Sequence, residues 1–303
     1  MKHFFQKVKS IIIQTGIIIL ISFLLGEITF RIYNYFSPTF IFYTDSYNRY
    51  RGKPFSTSWD FKLNSRGFND NEFPKKREHA YRILGIGDSF AFGAVPHKYN
   101  YLTILKSQLR EDNKNVEVLN MGIPGIVPIE YLSLFVREGL ELKPDMLLLS
   151  FFIGNDFLDC GRKRKLYSYS YVASLVNYLL SVKSKFEGNI IHGKEDYCDD
   201  CPNMNKETYR QIEGEKIFIY LEGNERFIKL LDKALYYLSS INDICKKHDI
   251  EFIVAIIPDE VQINRSLRHE VIKTYYPLLD KAKWNITLPN KMLIDGLDKL
   301  GIN

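Results

Sequence analysis

Tyr81-Arg-Ile-Leu-Gly-Ile-Gly-Asp-Ser-Phe-Ala-Phe-Gly93 decides how this chain folds. Tyr81 to Gly87 reads as a short apolar strand. It breaks abruptly at Gly87-Asp88-Ser89, and a second glycine follows at Gly93. A serine where a buried strand ends in a glycine-lined turn is held rigidly and exposed at a sheet end. An acyl-transfer nucleophile needs that placement. Gly-Asp-Ser is also an ordinary turn tripeptide, so its meaning depends on the rest of the chain.

Outward from this stretch, apolar strands alternate with helical patterns. His97 to Glu111 is helix-like, with Leu102, Leu105 and Leu109 on one face, and Val116 to Asn120 is a second strand. A second helix, Ile129 to Leu142, precedes a third strand, Asp145 to Phe151, apolar enough to be covered on both faces. A long helix from Glu225 to His248 leads to a fourth strand, Ile250 to Ile257, ending at Pro258. This alternation predicts an α/β fold, a parallel sheet with helices on both faces and right-handed crossovers. Ligands of such sheets bind beyond the carboxyl ends of the strands. Those ends are Gly87-Asp88-Ser89, Asn120 to Gly125, Gly154-Asn155-Asp156 and Pro258-Asp259.

Residues 157–223 break the rhythm and read as an insertion after the third strand. They hold the basic run Gly161-Arg-Lys-Arg-Lys165, an apolar Tyr167 to Val182 stretch, Cys198 and Cys201, and a short apolar run, Ile217 to Leu221. The basic run is expected to be a solvated loop, or a surface near the site mouth that favours anionic substrates or headgroups.

The amino-terminal end differs from the rest. Lys2, Lys7 and Lys9 precede Ser10 to Gly26, which carries no charge and is dominated by Ile and Leu. That stretch is at the short end of what spans a bilayer, and Ile28 to Phe30 extend it if Glu27 snorkels to the interface. An uncleaved membrane anchor is the expectation, with a signal peptide and a buried helix as rivals. Three lysines before the span against Arg31 after it place the N-terminus in the cytoplasm and the bulk of the chain outside. The expected organisation is an anchor over residues 1–36, a juxtamembrane connector over 37–78 and an α/β domain over 79–303.

A net charge of +5, spread along the chain without an arginine-rich arm or zinc-ligand spacing, argues against nucleic acid as partner. No cofactor or metal is expected. Cys160, Cys198, Cys201 and Cys245 would lie in an oxidising compartment, where pairing is allowed and its connectivity stays open. Cys198-Asp-Asp-Cys201 has the spacing of half a zinc site or of a redox dithiol, but no second pair of ligands is suitably spaced.

Three of the strand ends together resemble the GDSL/SGNH hydrolase family. Gly87-Asp88-Ser89 is similar to its first block, Asn120-Met-Gly-Ile-Pro-Gly125 to its second and Gly154-Asn155-Asp156 to its third. The resemblance runs from about Asn64 to the fourth strand and is nearest to membrane-anchored bacterial members. It implies a three-layer α/β/α, flavodoxin-like sheet. Ser89 would be the nucleophile, Gly125 and Asn155 would hold the oxyanion, and Asp88 would shape the turn. Such donors must meet the charge that develops on the carbonyl oxygen at hydrogen-bonding distance.

The family's last block is Asp-x-x-His, whose imidazole activates the serine. None of the six histidines occurs in that pattern. His79 and His97 read as surface residues, and His248 as a helix cap. His269 sits on a charged helix with Arg265 and Arg268 and is the least implausible substitute. Leu288 to Leu300 looks like the lead-in to a fifth strand, after which the block would follow. Two accounts remain, a chain lacking its C-terminal part and a degenerate member. The leading expectation is an anchored extracytoplasmic serine esterase acting on an ester substrate. The alternatives are an O-acyltransferase of a cell-envelope carbohydrate and an inactive surface-binding protein.

Overall fold

The structure, a computed structural model, describes residues 2–36, 40–42, 46–58, 61–93, 95–112, 115–160, 166–185, 204–278 and 281–303. By their contacts they fall into two units, one of Met1–Arg49 with Lys163–Glu187, the other of Tyr50–Arg162 with Gly188–Asn303.

The first unit is built on helix α1, Lys2–Phe36. It is the one helix among the described residues long and apolar enough to cross a membrane, over Gln6–Phe36. A signal sequence at the same place has the same character. Glu27 does not stand alone in this span. Its carboxylate accepts hydrogen bonds from Ser170 Oγ and, at 3.1 Å, from Val172 N–H, and it pairs with Arg31 at 3.3 Å. Ser170 and Val172 lie at the start of the helix Tyr171–Lys185, so protein contacts meet the charge that the sequence had assigned to snorkelling. Phe42 stacks on Tyr171 with ring centroids 4.4 Å apart.

The second unit contains, in chain order, β1 Tyr81–Ile86, α2 Ser89–Phe92, α3 Tyr101–Asp112, β2 Val116–Asn120, α4 Pro128–Leu134 and β3 Met146–Phe152. Then follow α5 Lys206–Lys216, α6 Glu225–Lys247, β4 Glu251–Ile257, α7 Arg265–Tyr275 and α8 Leu288–Leu300. The four strands are parallel in the order β2-β1-β3-β4, the flavodoxin-like order. Gly85 pairs with Asn120 on one side and Leu148 on the other, so β3 runs on to Phe152 beyond the ends of β1 and β2.

Alternation along each strand sends side chains to opposite layers. Ile83, Val116, Val118, Met146 and Leu148 pack with Leu102, Leu105 and Leu109 of α3. On the other face Leu84, Leu147, Leu149 and Phe151 are fully buried. There Phe157 bridges Phe151 of β3 and Phe227 of α6, at 4.9 and 5.3 Å between ring centroids. Each such side chain contributes about 1.5–3 kcal/mol by leaving water.

Two expected helices are interrupted. His97–Tyr99 is a separate 3-10 turn before α3, because Asn100 turns inward and caps α3 through Oδ1, which accepts Leu102 N–H at 2.8 Å. The expected helix over 129–142 continues past α4 as a π turn, Phe135–Gly139, and a 3-10 turn, Leu140–Leu142. Gly139 lies against β1 here, and a Cβ on it would stand 2.9 Å from Leu84.

α8 packs on α6, and after it the chain turns along β4, where Val254 N–H donates to Asn303 O at 2.8 Å. Within the inserted segment the 3-10 turn Ile217–Tyr220 is buried throughout. Arg162, Lys165, His192, Cys198 and Cys201 lie outside the described residues. Cys160 and Cys245 are buried.

Candidate active site

β1 leaves the sheet at Gly87, and Asp88 caps α2 by accepting Phe90 N–H on Oδ1 at 2.9 Å. Ser89 is the first residue of this single turn and is half-buried. A helix of one turn leaves its last carbonyls without internal partners. Side chains from three segments meet them. Asn69 Nδ2 donates to Phe92 O at 2.8 Å, and Asn120 Nδ2 to Ala91 O at 2.8 Å. Asn100 Nδ2 donates to Ala91 O at 2.9 Å and to Phe92 O at 3.1 Å. Asp70 completes the frame, accepting Asn120 N–H at 2.9 Å and pairing with Lys106 at 3.0 Å. Sequence reasoning had not singled out Asn69, Asp70 or Asn100. The one local signal was an asparagine just before a helix.

The second motif packs on α2 directly. A Cβ on Gly122 would lie 2.1 Å from Phe92 N and 2.4 Å from Ala91 C, so only glycine fits. Asn120 Oδ1 accepts Gly122 N–H at 2.8 Å and sets the exit of β2. Gly125 stands farther along this loop, half-buried, at φ +67°, against the ring of Tyr50.

The third motif meets the first. Asn155 Nδ2 donates to Asp88 Oδ2 at 3.3 Å, while Asn155 Oδ1 is buried without a hydrogen-bond partner. Asp156 holds the turn that presents Asn155. It accepts Tyr131 OH and Phe152 N–H, each at 2.8 Å, and is fully buried. Burial, with the charges of Asp156 and Asp88, pushes the Tyr131 phenol well above its usual value, so it remains a donor. Ser89 and Asn155 thus stand at the ends of adjacent strands β1 and β3, where the strand order reverses. Open α/β sheets bind ligands at that point.

Burial raises the Asp88 carboxyl above its ordinary value, partly offset by its bonds to Phe90 N–H and Asn155. Tyr101, bonded to Ser150 Oγ, is pushed up to about 12 by burial, with Asp88 adding to the shift. Phe90 and Phe152, 4.5 Å apart, make an apolar wall beside Ser89. Behind it Lys216 Nζ lies 5.7 Å from the centre of the Phe152 ring, 2.6 Å from Glu213 and 3.4 Å from Asp259. Tyr220 OH donates to Asp259 Oδ2 at 2.9 Å. The fourth strand end, Pro258-Asp259, therefore carries a buried ion cluster that sequence reasoning had missed.

The histidines take other places. His79 is exposed beside Glu78, and His248 caps α6. His97 is half-buried rather than on the surface, because Phe61 stacks on its ring at 3.6 Å. His269 lies on α7. Among the described residues none of them hydrogen-bonds to Ser89.

No family model matches the chain, and no curated protein matches it. Similar solved structures include TesA, at 11% identity and TM-score 0.33, with 72% of this chain and 99% of that one covered. Another is AlinE4, an SGNH-hydrolase family esterase, at 13% identity and TM-score 0.32, covering 74% and 95%. A third is Axe2, an acetylxylan esterase from Geobacillus stearothermophilus, at 16% and 0.28, covering 76% and 98%. At these identities and scores the likenesses decide nothing about the site. The resemblance to the GDSL/SGNH hydrolases is carried by three sequence motifs, each at the carboxyl end of a strand in one parallel α/β sheet.

Proposed function

We propose that the chain is a serine-dependent enzyme acting on carboxylic esters, with Ser89 as nucleophile. The observation that carries this reading is the contact of Asn155 with Asp88, which brings the third motif to the residue before Ser89. In the reaction, Ser89 Oγ bonds to the ester carbonyl carbon, the carbonyl π pair moves onto its oxygen, and the serine proton passes to solvent water. The oxyanion is met by the N–H groups of Ser89 and Gly125 and the Asn155 amide. Collapse breaks the bond to the leaving alcohol, which takes a proton, and leaves an acyl-serine. Water, or a hydroxyl of a carbohydrate acceptor, then takes the acyl group, and the proton returns to Ser89 Oγ. The exposed apolar ring of Phe90, backed by Phe152, suits an acyl chain beside Ser89.

α1 anchors the enzyme, and the lysines before it put the sheet unit on the extracytoplasmic side. Protease added to intact cells should then cut the sheet unit, and protection would reverse the orientation. The absence of a histidine bonded to Ser89 among the described residues favours a second reading, a binding module that keeps the cleft. A fluorophosphonate probe separates the two. Labelling of the folded full chain that disappears in Ser89→Ala supports the enzyme. Absence of both labelling and short-chain ester turnover leaves the binding module.

A further inference from the structure

α7 places Arg265, Arg268, His269, Ile272, Lys273 and Tyr276 along one face, at the spacing of successive helical turns, with Tyr276 as its C-cap. With Trp284 opposite, they line a groove of about 590 Å³, within the range of small-molecule sites. The lining holds two arginines, a lysine and a histidine but no carboxylate. Like charges at this spacing destabilise a helix rather than support it. The one acid of α7, Glu270, does not relieve them, because Arg210 and Lys206 of α5 engage it. Arg265, His269 and Lys273 have no carboxylate partner among the described residues. A cationic groove left unneutralised on one side of a folded protein attracts anions.

The groove is also shaped and not merely charged. Arg268 Nη1 donates to the carbonyls of Val261 and Gln262, at 3.2 Å each, which fixes the guanidinium and leaves other N–H groups to donate. Trp284 is held from behind by Tyr220, at 5.4 Å between ring centroids, and by its bridge with Leu221. The Trp284 and Tyr276 rings give flat apolar surface beside the cations. Aromatic faces of this kind take the apolar face of a sugar ring, and fixed cations take a carboxylate or phosphate on it.

We propose that this groove binds an anionic saccharide unit, a sugar ring bearing a carboxylate or phosphate. Arg265, Arg268 and Lys273 would meet the anionic group, and Trp284 and Tyr276 the ring. The proposal stands apart from the reading of Ser89, since the groove requires no serine chemistry.

The chain has two tryptophans, so Trp59→Phe leaves Trp284 as the sole indole reporter in the detergent-solubilised full chain. Glucuronate and glucose 6-phosphate are titrated against its fluorescence, with glucose and AMP as further arms. At least one anionic sugar should give a saturable change that weakens as salt rises. Its Kd should rise about tenfold or more in Arg265→Ala/Lys273→Ala, through loss of two of the three cations that meet the anionic group. Both side chains are exposed, so circular dichroism should show this variant folded. No saturable change with either sugar up to ~10 mM, weaker than any useful site, overturns the proposal. Equal affinity for glucose, an unchanged Kd in the double variant, or a response to AMP alone does the same.

Discussion

Asn155 Nδ2 lies 3.3 Å from Asp88 Oδ2, so the amide at the end of β3 rests on the residue that precedes Ser89. This places a donor beside the serine and ties the two strand ends together. Asn155→Ala should slow fluorophosphonate labelling of Ser89 by about 10²–10³-fold, the usual effect of losing one oxyanion donor. The change also takes a donor from the buried Asp88 carboxylate, so a stability loss of about 1–2 kcal/mol should accompany it. A large stability loss with unchanged labelling would make Asn155 a purely structural residue.

Gly122 and Gly125 lie in one loop but should respond differently to alanine. At Gly122 the new methyl meets the backbone of α2 at 2.1 Å, which cannot yield without moving Ser89. Urea denaturation should show a loss of about 3 kcal/mol, the upper end of ordinary overpacking. At Gly125 the obstacle is a left-handed φ and the edge of the Tyr50 ring, which can swing aside. About 1–2 kcal/mol is expected there. Equal losses at the two sites would refute the close packing of the loop on α2.

Glu213 is pushed up to about 7 by burial and by the neighbouring Asp259. Its folded value lies above its unfolded value of 4.5, so the native state holds the proton more tightly. Its contribution to stability is therefore fully present below about pH 4.5 and is lost as pH rises towards 7. Glu213→Gln should flatten the fall in stability across that window relative to the parent. Parallel pH profiles of the two proteins would remove Glu213 as the cause.

Glu117 behaves in the opposite sense. Burial alone would raise its carboxyl, but hydrogen bonds from Arg77 and Arg82 outweigh it and hold the group below the carboxylate range. Stability from this group is present above its unfolded value of 4.5 and is lost as pH falls through the lowered folded value. Arg82 is 1% exposed and bonds Glu117 Oε2 at 2.7 Å. Glu117→Gln leaves that guanidinium unpaired and should cost about 3 kcal/mol at neutral pH. A loss well below 1 kcal/mol would show that Leu142 O and Pro74 O suffice for Arg82.

The four strands were legible because each is a compact apolar run ended by turn residues, and β2 spans the residues expected of it. The motif serine, asparagines and glycines were legible from their order. Their supports were not. Asn69 and Asp70 sit in a segment that reads as a connector, and nothing local tells that one reaches Phe92 and the other Asn120. The Lys216, Glu213 and Asp259 cluster joins an insertion to the end of β4. Periodicity sees one element at a time and is blind to such pairings. His97 was misplaced for the same reason, since its partner Phe61 lies outside any periodic run.

The asparagine frame around α2 has a consequence for how the protein comes into being. Ala91 and Phe92 are held by residues 69, 100 and 120, so the turn bearing Ser89 has no lasting shape while those segments are apart. A growing chain contains Ser89 before Asn120 and Asn155 have been added. The serine gains its geometry only when the later strands dock. Any reactivity of the proposed nucleophile at residue 89 is thus tied to completion of the whole sheet.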